Sequence, residues 1–150
     1  MPARSREFPF TDKSLGTIAE EYRKASFIAQ ALKATGLDEQ MAHLEGYTLF
    51  LPTDEAVSRL PENLQAEMKK NPKVLLSILR AQMVKGILPS GDLKELSSIT
   101  TLGGVTMAVG RRGLKITLAE SDLALLDLYG NGFVVHFVTG IIVSGVTIRS

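Results

Sequence analysis

The spacing of apolar residues changes along this chain of 150 residues, and the change occurs near Gly86. Before Gly86 the apolar positions repeat with a helical period, so that Leu75, Ile78 and Leu79 fall on one face of a predicted helix. After Gly86 the period is two, which is typical of strands with one buried face. Helices first and strands second predict an α+β domain rather than a doubly wound parallel sheet.

Local signals predict where several helices begin. Thr17 and Glu20 have the spacing of a capping box, and Ser26 can cap the following helix. Asn71 followed by Pro72 is a favoured cap and first position for a later helix. These signals predict a largely helical N-terminal half.

One short segment predicts a sharp corner between a strand and a helix. Residues 47–51 are apolar and aromatic, which favours a strand. Pro52 lacks the N–H that a longer ladder needs, so it ends that strand. Thr53 can cap the next helix, and Asp54 and Glu55 fall in its first turn, where the helix dipole favours negative charge. We therefore predict that the residues of this corner have a structural role.

Alternating residues predict a β-hairpin in the second half of the chain. Segments 105–109 and 114–118 alternate apolar and polar residues, and Arg111, Arg112 and Gly113 lie between them as the turn. The nearly continuous apolar stretch at residues 133–143 predicts a closing strand that is covered on both faces.

Composition excludes several classes of function. The 17 basic and 16 acidic side chains leave a net charge of +1, which argues against a nucleic-acid ligand. The absence of cysteine excludes a disulfide scaffold and a cysteine metal site. No apolar run approaches the roughly 18 residues of a membrane helix, so we expect no membrane span in this chain.

We predict that residues 1–13 form a flexible N-terminal linker and that residues 14–146 form a single domain.

The residue types that carry catalysis do not form a recognisable set. His43 and His136 lie far apart without a second ligand at helical spacing, so we expect no metal site and no cofactor. The Gly-x-Ser-x-Gly motif is absent, and the consecutive carboxylates of Asp54 and Glu55 cannot face each other on a helix. His136 lies in an apolar strand, which favours a structural histidine. We therefore expect no catalytic residue.

Two separated segments resemble the fasciclin domain family. Thr48–Pro61, TLFLPTDEAVSRLP, is similar to the first signature of that family. Asp127–Val143, DLYGNGFVVHFVTGIIV, is similar to the second signature, an Asn-Gly turn followed by an apolar strand with one histidine. The positions that match the first signature, and that we interpret as structural, are Phe50, Pro52, Thr53, Asp54 and Ala56.

The resemblance implies a fasciclin-like fold, in which N-terminal helices pack on a C-terminal antiparallel β-wedge of two small sheets. It also implies candidate binding residues in the second signature. These are Asp127, Leu128, Tyr129, Asn131 and His136.

At two places the sequence departs from the family pattern, and these departures limit which residue roles of the family apply to this chain. Asn131 and Gly132 lie one place early relative to the histidine, so we expect a rebuilt turn with a bulge. The family often carries Tyr-His near the end of its central helix, where this chain has Ala81 and Gln82. The roles of that pair, bracing the first signature and integrin adhesion, are therefore not carried over.

The resemblance and the missing catalytic groups together predict a non-enzymatic cell-adhesion or protein-binding module of a secreted or surface protein. Its expected partner is a protein, a matrix component or polysaccharide, or a second copy of the chain. We expect a monomer or one part of a larger multi-domain protein, located outside the cell or in the cell envelope or periplasm, with an export signal absent from this sequence. Two alternatives stay open: a small-molecule-binding or enzymatic domain on the same scaffold, and a structural spacer.

Overall fold

The computed structural model describes residues 8–42, 45–119, 121–143 and 146–148. For residues 141–143 and 146–148, only the backbone is described. These residues contain seven α-helices, one short 3₁₀ helix and nine strands. The helices are α1 (Leu15–Glu21), the 3₁₀ helix (Arg23–Ala25), α2 (Ser26–Ala34), α3 (Leu37–Gln40), α4 (Asp54–Ser58), α5 (Glu62–Lys70), α6 (Pro72–Arg80) and α7 (Ser90–Leu93). The strands are β1 (Tyr47–Pro52), β2 (Met83–Lys85), β3 (Ser98–Thr100), β4 (Thr106–Arg112), β5 (Lys115–Leu118), β6 (Ser121–Tyr129), β7 (Phe133–Val138), β8 (Ile141–Val143) and β9 (Val146–Ile148).

The N-terminal helices begin at caps that differ in part from the predicted ones. Ser14 caps α1, and its Oγ accepts a hydrogen bond from the Thr17 N–H at 3.2 Å, so Thr17 lies within the helix. Ala25 occupies the cap position of α2, and Ser26 is the first helical residue. Asn71 caps α6 as predicted, with its side chain accepting a backbone hydrogen bond at 3.0 Å.

Seven strands form one mixed sheet in the order β2-β1-β7-β6-β5-β4-β3. Neighbouring strands are antiparallel except β1 and β7, which run parallel along their whole length. The short strands β8 and β9 pair only with each other in the described residues. This arrangement differs from the expected wedge of two small antiparallel sheets, because the parallel ladder joins β1 and β2 to the C-terminal strands in a single sheet.

Two apolar cores lie on the two faces of the seven-stranded sheet. Successive strand residues point to opposite faces, so Leu49 and Leu51 pack under the helices while Phe50 points the other way. The second core takes a side chain from every strand of this sheet: Phe50, Val84, Ile99, Met107, Ile116, Leu118, Leu123 and Val138. Because both edge strands reach the same cluster, the sheet curls around it.

The predicted hairpin is formed by β4 and β5. Arg112 lies opposite Lys115 across the turn, and Gly113 adopts a left-handed φ of +64° that glycine accommodates without strain. Met107 and Ile116 are buried as their alternation predicts. Leu114, predicted as an inward strand residue, instead lies in the turn with its side chain fully exposed.

The predicted closing strand is divided in two. All six residues of β7 are buried, as expected for a strand covered on both faces. The chain then leaves the sheet at Thr139 and Gly140, and β8 begins at Ile141. A Cβ on Gly140 would lie 1.9 Å from the Oγ of Ser121, so a larger residue where the chain leaves the sheet would displace the Ser121 side chain on β6.

Replacing Thr53 by alanine is expected to lower the free energy of unfolding by about 1 kcal/mol. The Thr53 Oγ1 accepts a hydrogen bond from the Ala56 N–H at 3.3 Å, and alanine would remove this cap of α4. Urea denaturation of both proteins measures the difference. Ser58→Ala is the matched control, because the exposed Ser58 hydroxyl on the same helix caps no N–H. An equal loss in both variants would contradict the capping role.

Candidate functional site

The middle of the second signature lies on an irregular part of β6. The register of β6 against β7 shifts between Leu123 and Leu125 and again between Leu125 and Leu128. Asp127 lies in the second of these bulges with φ at +60°, in the left-handed region that aspartate tolerates better than most residues. The bulge expected for this signature is therefore in the strand before the Asn131-Gly132 turn.

The bulge directs the Asp127 carboxylate at the start of α7. Its Oδ1 accepts a hydrogen bond from the Ser90 N–H at 2.7 Å, and its Oδ2 accepts one from the Ser90 hydroxyl at 2.6 Å. A carboxylate at this position satisfies a free backbone donor at the beginning of a helix. Asp127 therefore fixes α7 to the sheet.

His136 lies on β7 beneath this bulge and is fully buried. Its Nδ1 accepts a hydrogen bond from the Asp127 N–H at 3.1 Å, and its Nε2 lies 2.8 Å from the carbonyl oxygen of Leu88. A ring whose Nδ1 accepts must carry its proton on Nε2, which then donates to Leu88. Burial lowers the pKa of His136, an effect that the Leu88 carbonyl and the Asp127 carboxylate partly oppose. His136 is therefore a neutral structural residue.

Thr48 completes the attachment of the loop between β2 and α7. Its hydroxyl donates to the Gly86 carbonyl oxygen at 2.7 Å and accepts from the Leu88 N–H at 2.8 Å. Side chains from β1, β6 and β7 thus hold one loop. Sequence reasoning identified Asp127 and His136 but missed Thr48 and Ser90, whose roles appear only once the strands are paired.

These contacts also bear on catalysis. Ser90, Asp127 and His136 are the residue types of a hydrolytic triad, yet the Ser90 hydroxyl bonds to the carboxylate instead of the imidazole. Both nitrogens of His136 are occupied by backbone groups, so the ring cannot act as a general base for Ser90. Among the described residues, no group of three or more histidine, aspartate or glutamate side chains could hold a metal ion.

Stability is expected to fall as the pH drops below about 6.5, the usual pKa of histidine in an unfolded chain. The pKa of His136 is lower than this in the folded protein, so between the two values the unfolded state binds a proton that the folded state does not. The free energy of unfolding then decreases by at most about 1.4 kcal/mol per pH unit through this group, and above that window the group has no effect.

Urea denaturation across pH values from about 5 to 8 measures this dependence. A His43→Gln variant should keep it, because His136 is still present. A His136→Leu variant should lose it. Retention of the full dependence without His136 would contradict the assignment.

An apolar groove lies beside the outer part of β6, between α1 and the N-terminal segment. Its volume is about 380 Å³. Ile18 and Tyr22 form its α1 side, and a Lys13–Glu21 ion pair of 2.7 Å lies at its edge. The full lining is Pro9, Thr11, Lys13, Ile18, Glu21, Tyr22, Leu125, Asp127, Leu128 and Tyr129.

Residues 8–13 form one wall of this groove. The Thr11 N–H donates to the Gly130 carbonyl oxygen at 3.1 Å, and the Asn131 N–H donates to the Lys13 carbonyl oxygen at 3.1 Å. The rings of Phe8 and Phe10 contact the ring of Tyr129, with centroid distances of 6.4 and 5.8 Å. Phe8 and Phe10 lie in the segment that was predicted to be a linker. Two aromatic side chains so close together were the one sign in the sequence that this segment contacts the domain.

The five candidate binding residues have different surroundings. Asp127, Leu128 and Tyr129 line the groove. Asn131 is exposed in the β6–β7 turn, and its backbone binds the N-terminal segment at the end of the groove. His136 lies beneath the sheet surface without access to solvent. A ligand in the groove can therefore contact the first three, and His136 contributes only by supporting Asp127.

The first signature lies away from this groove, and of its matching positions Phe50, Pro52, Thr53 and Ala56 are buried and Asp54 is half-buried. Asp54, predicted to favour the start of α4, also accepts hydrogen bonds at the start of α2, from the Ser26 N–H at 3.2 Å and the Phe27 N–H at 2.8 Å. Pro52 and Ala56 are buried beside Thr53.

Phe50 is braced from the end of the central helix. Its backbone N–H donates to the Gln82 carbonyl oxygen at 2.9 Å, and the Gln82 side-chain amide donates to the Phe50 carbonyl oxygen. Gln82 thus braces the first signature, a role that the departure from Tyr-His had led us not to expect of it.

Comparison with known proteins identifies the family. The sequence model of the fasciclin domain matches residues 23–144. The chain belongs to the fasciclin domain family. A solved fasciclin domain pair, described as coming from the insect cell adhesion molecule fasciclin I, superposes with a TM-score of 0.68 over 92% of this chain and 51% of that one, at 12% identity. This likeness supports the fold.

Curated fasciclin relatives come from animals and bacteria. Transforming growth factor-beta-induced protein ig-h3 of Sus scrofa is 27% identical over 131 residues, which cover 85% of this chain and 19% of that protein. The protein sll1735 of Synechocystis is 25% identical over 85% of this chain and 96% of its own length. Immunogenic protein MPB70 of Mycobacterium bovis is 31% identical over 51% of this chain and 39% of its own. The chain thus spans about a fifth of the first relative.

The helices of this fasciclin domain are short. No helix in the described part of the chain is long and apolar enough to cross a membrane.

Proposed function

We propose that this fasciclin domain is a non-enzymatic adhesion module that binds a protein through the groove beside β6. The observation that carries the proposal is the convergence of Asp127, Leu128 and Tyr129, supplied by the second signature, on one groove. Leu125 adds an apolar side chain that is 36% exposed at the same place. Exposed apolar side chains next to a few fixed polar groups are typical of the centre of a protein interface.

The fasciclin family and the description of one solved member as a cell adhesion molecule support this proposal. We propose a secreted or surface location, in the extracellular space or the cell envelope, which the same likeness supports. We further propose that residues 14–146 form the single domain, preceded by residues 1–13. The partner is a matrix protein or a second copy of the chain.

A binding assay against immobilised matrix proteins and against the protein itself tests the proposal. Leu125→Asp should weaken binding about tenfold, which is a typical loss when a central interface side chain is removed. Leu96→Asp is the matched control, because Leu96 is similarly exposed, at 39%, but does not line the groove. Equal binding by wild type and Leu125→Asp would contradict use of the groove, and no binding to any of these proteins would contradict the module.

A small-molecule ligand is the second candidate for the same groove. Its volume of about 380 Å³ falls in the range of about 300–1,000 Å³ that ligand pockets occupy, and its lining is mostly apolar. An apolar compound that raises the melting temperature of wild type but not of Leu125→Asp would favour this candidate.

A further inference from the structure

A second, polar cleft lies on the other side of Tyr22 from the apolar groove. Its volume is about 620 Å³. It is formed where the 3₁₀ helix and the start of α4 face the ends of β5, β6 and β7. The lining is Tyr22, Arg23, Lys24, Thr53, Asp54, Glu55, Lys115, Asp122, Ala124 and Thr139.

The acidic side chains of this polar cleft are already engaged within the protein. The Asp54 carboxylate accepts hydrogen bonds from the start of α2. Glu55 pairs with Arg59 at 2.7 Å, and Asp122 pairs with Arg112 at 2.8 Å. Arg59 and Arg112 therefore balance two of these three charges, and neutral donors of the fold stabilise the third.

The basic side chains that line the cleft are not engaged in this way. Arg23 and Lys24 extend from the 3₁₀ helix and Lys115 from β5, and all three are exposed. Among the described residues, none forms a hydrogen bond or an ion pair with the side chain of any of these three. The cleft thus presents three positive charges without an ion-pair partner, against one carboxylate, that of Asp54, without one. This excess of positive charge favours an anionic ligand.

We propose that this polar cleft binds a segment of an acidic polysaccharide, which goes beyond the proposed binding of a protein in the apolar groove. Carboxylate or sulfate groups of the sugar chain pair with Arg23, Lys24 and Lys115. Sugar hydroxyls donate to the remaining lone pairs of Asp122 and Glu55, and the half-buried Tyr22 ring offers an apolar surface for a sugar face. An acidic peptide lacks comparable hydroxyl donors along its length.

Titration with short, defined sugars tests the proposal. Oligogalacturonate supplies carboxylates, a sulfated dextran fragment supplies sulfates, and a neutral malto-oligosaccharide of similar length is the uncharged control. We expect one or both anionic sugars to bind and the neutral sugar not to bind. Because the attraction is electrostatic and exposed, raising NaCl from about 0.05 M to about 0.5 M should weaken binding strongly.

A matched pair of double variants locates the site. Lys24→Ser with Lys115→Ser removes two charges from the cleft and should weaken binding about tenfold, since each exposed charge contact contributes modestly. Lys73→Ser with Lys94→Ser removes two exposed charges elsewhere and should leave affinity unchanged. Calorimetric or NMR titration gives the dissociation constants, and unchanged near-ultraviolet circular dichroism verifies folding.

Three results would overturn the assignment: no binding of either anionic sugar to the folded protein, equal binding of the neutral sugar, or equal losses in both double variants. Leu125→Asp separates this proposal from the proposed function, because it alters the groove and leaves the cleft intact. If the folded protein bound a protein partner but no anionic sugar, only the polysaccharide assignment would be contradicted. Sugar binding without any protein binding would contradict the protein-binding module.

Discussion

Phe50→Ala is expected to lower the free energy of unfolding by about 3–5 kcal/mol, the usual cost of truncating a large buried aromatic residue. Phe50 is fully buried and belongs to the core that the curled sheet encloses. Its neighbours come from strands on both sides of β1, so the space left by its ring cannot be filled by one moving helix. Urea denaturation monitored by circular dichroism measures the loss.

Phe10→Ala is the control for this substitution. Phe10 is 42% exposed on the N-terminal segment, so the same chemical change there should cost much less. A loss below about 1 kcal/mol for Phe50→Ala would contradict its place in the second core. Such a result would also remove the structural interpretation of the first signature.

His136→Leu is expected to lower the free energy of unfolding by about 2–5 kcal/mol. Leucine has a similar volume but leaves the Leu88 carbonyl and the Asp127 N–H without their hydrogen-bonding group, and each buried unsatisfied group costs about 1–3 kcal/mol. The loop before α7 loses one of its three attachments at the same time. Urea denaturation at pH about 8 measures the effect without the contribution of histidine protonation.

Two further measurements make the His136 prediction specific. Amide hydrogen exchange should become faster at Asp127 and Ser90, because the bulge and α7 are no longer fixed. Val134→Leu, at another fully buried position of β7, controls for the cost of added volume in this strand. If His136→Leu cost no more than Val134→Leu and left exchange unchanged, the imidazole would have no structural role.

The parts of the fold that sequence reasoning predicted correctly are those that adjacent residues determine. The β1–α4 corner is one, because Pro52, Thr53 and the helix dipole act within a few residues of each other. The β4–β5 hairpin is another, since its turn needs only a glycine with positive φ. Leu114 was misplaced because alternation alone cannot tell the last strand residue from the first turn residue.

Long-range capping could not be predicted in this way. Asp38 accepts a hydrogen bond from the Gly16 N–H at 2.8 Å, Asp54 from the start of α2, and Asp127 from the start of α7. Each aspartate caps a helix that is distant from it in sequence. The helix dipole explained why Asp54 lies in the first turn of α4. Its second role, capping the start of α2, depends on the packing of α4 against α2.

The candidate site was predicted in part. Asp127, Leu128 and Tyr129 were named from the second signature, yet β6 itself was not predicted as a strand. Its two bulges interrupt the alternation of apolar and polar residues that identifies a strand in sequence. The N-terminal wall of the groove was also missed, since its backbone hydrogen bonds leave no side-chain pattern and two phenylalanines alone do not show which residue they contact.

The parallel ladder between β1 and β7 has a consequence for biosynthesis. β1 is the only strand of the described sheet that comes before the middle of the chain, and the neighbour that covers its second edge is the last strand of that sheet to be made. Until the ribosome has released residues 133–138, β1 presents an open edge and Phe50 lacks much of its enclosure. A nascent chain truncated before residue 133 is therefore expected to need a chaperone, whereas one that extends past residue 138 completes the sheet.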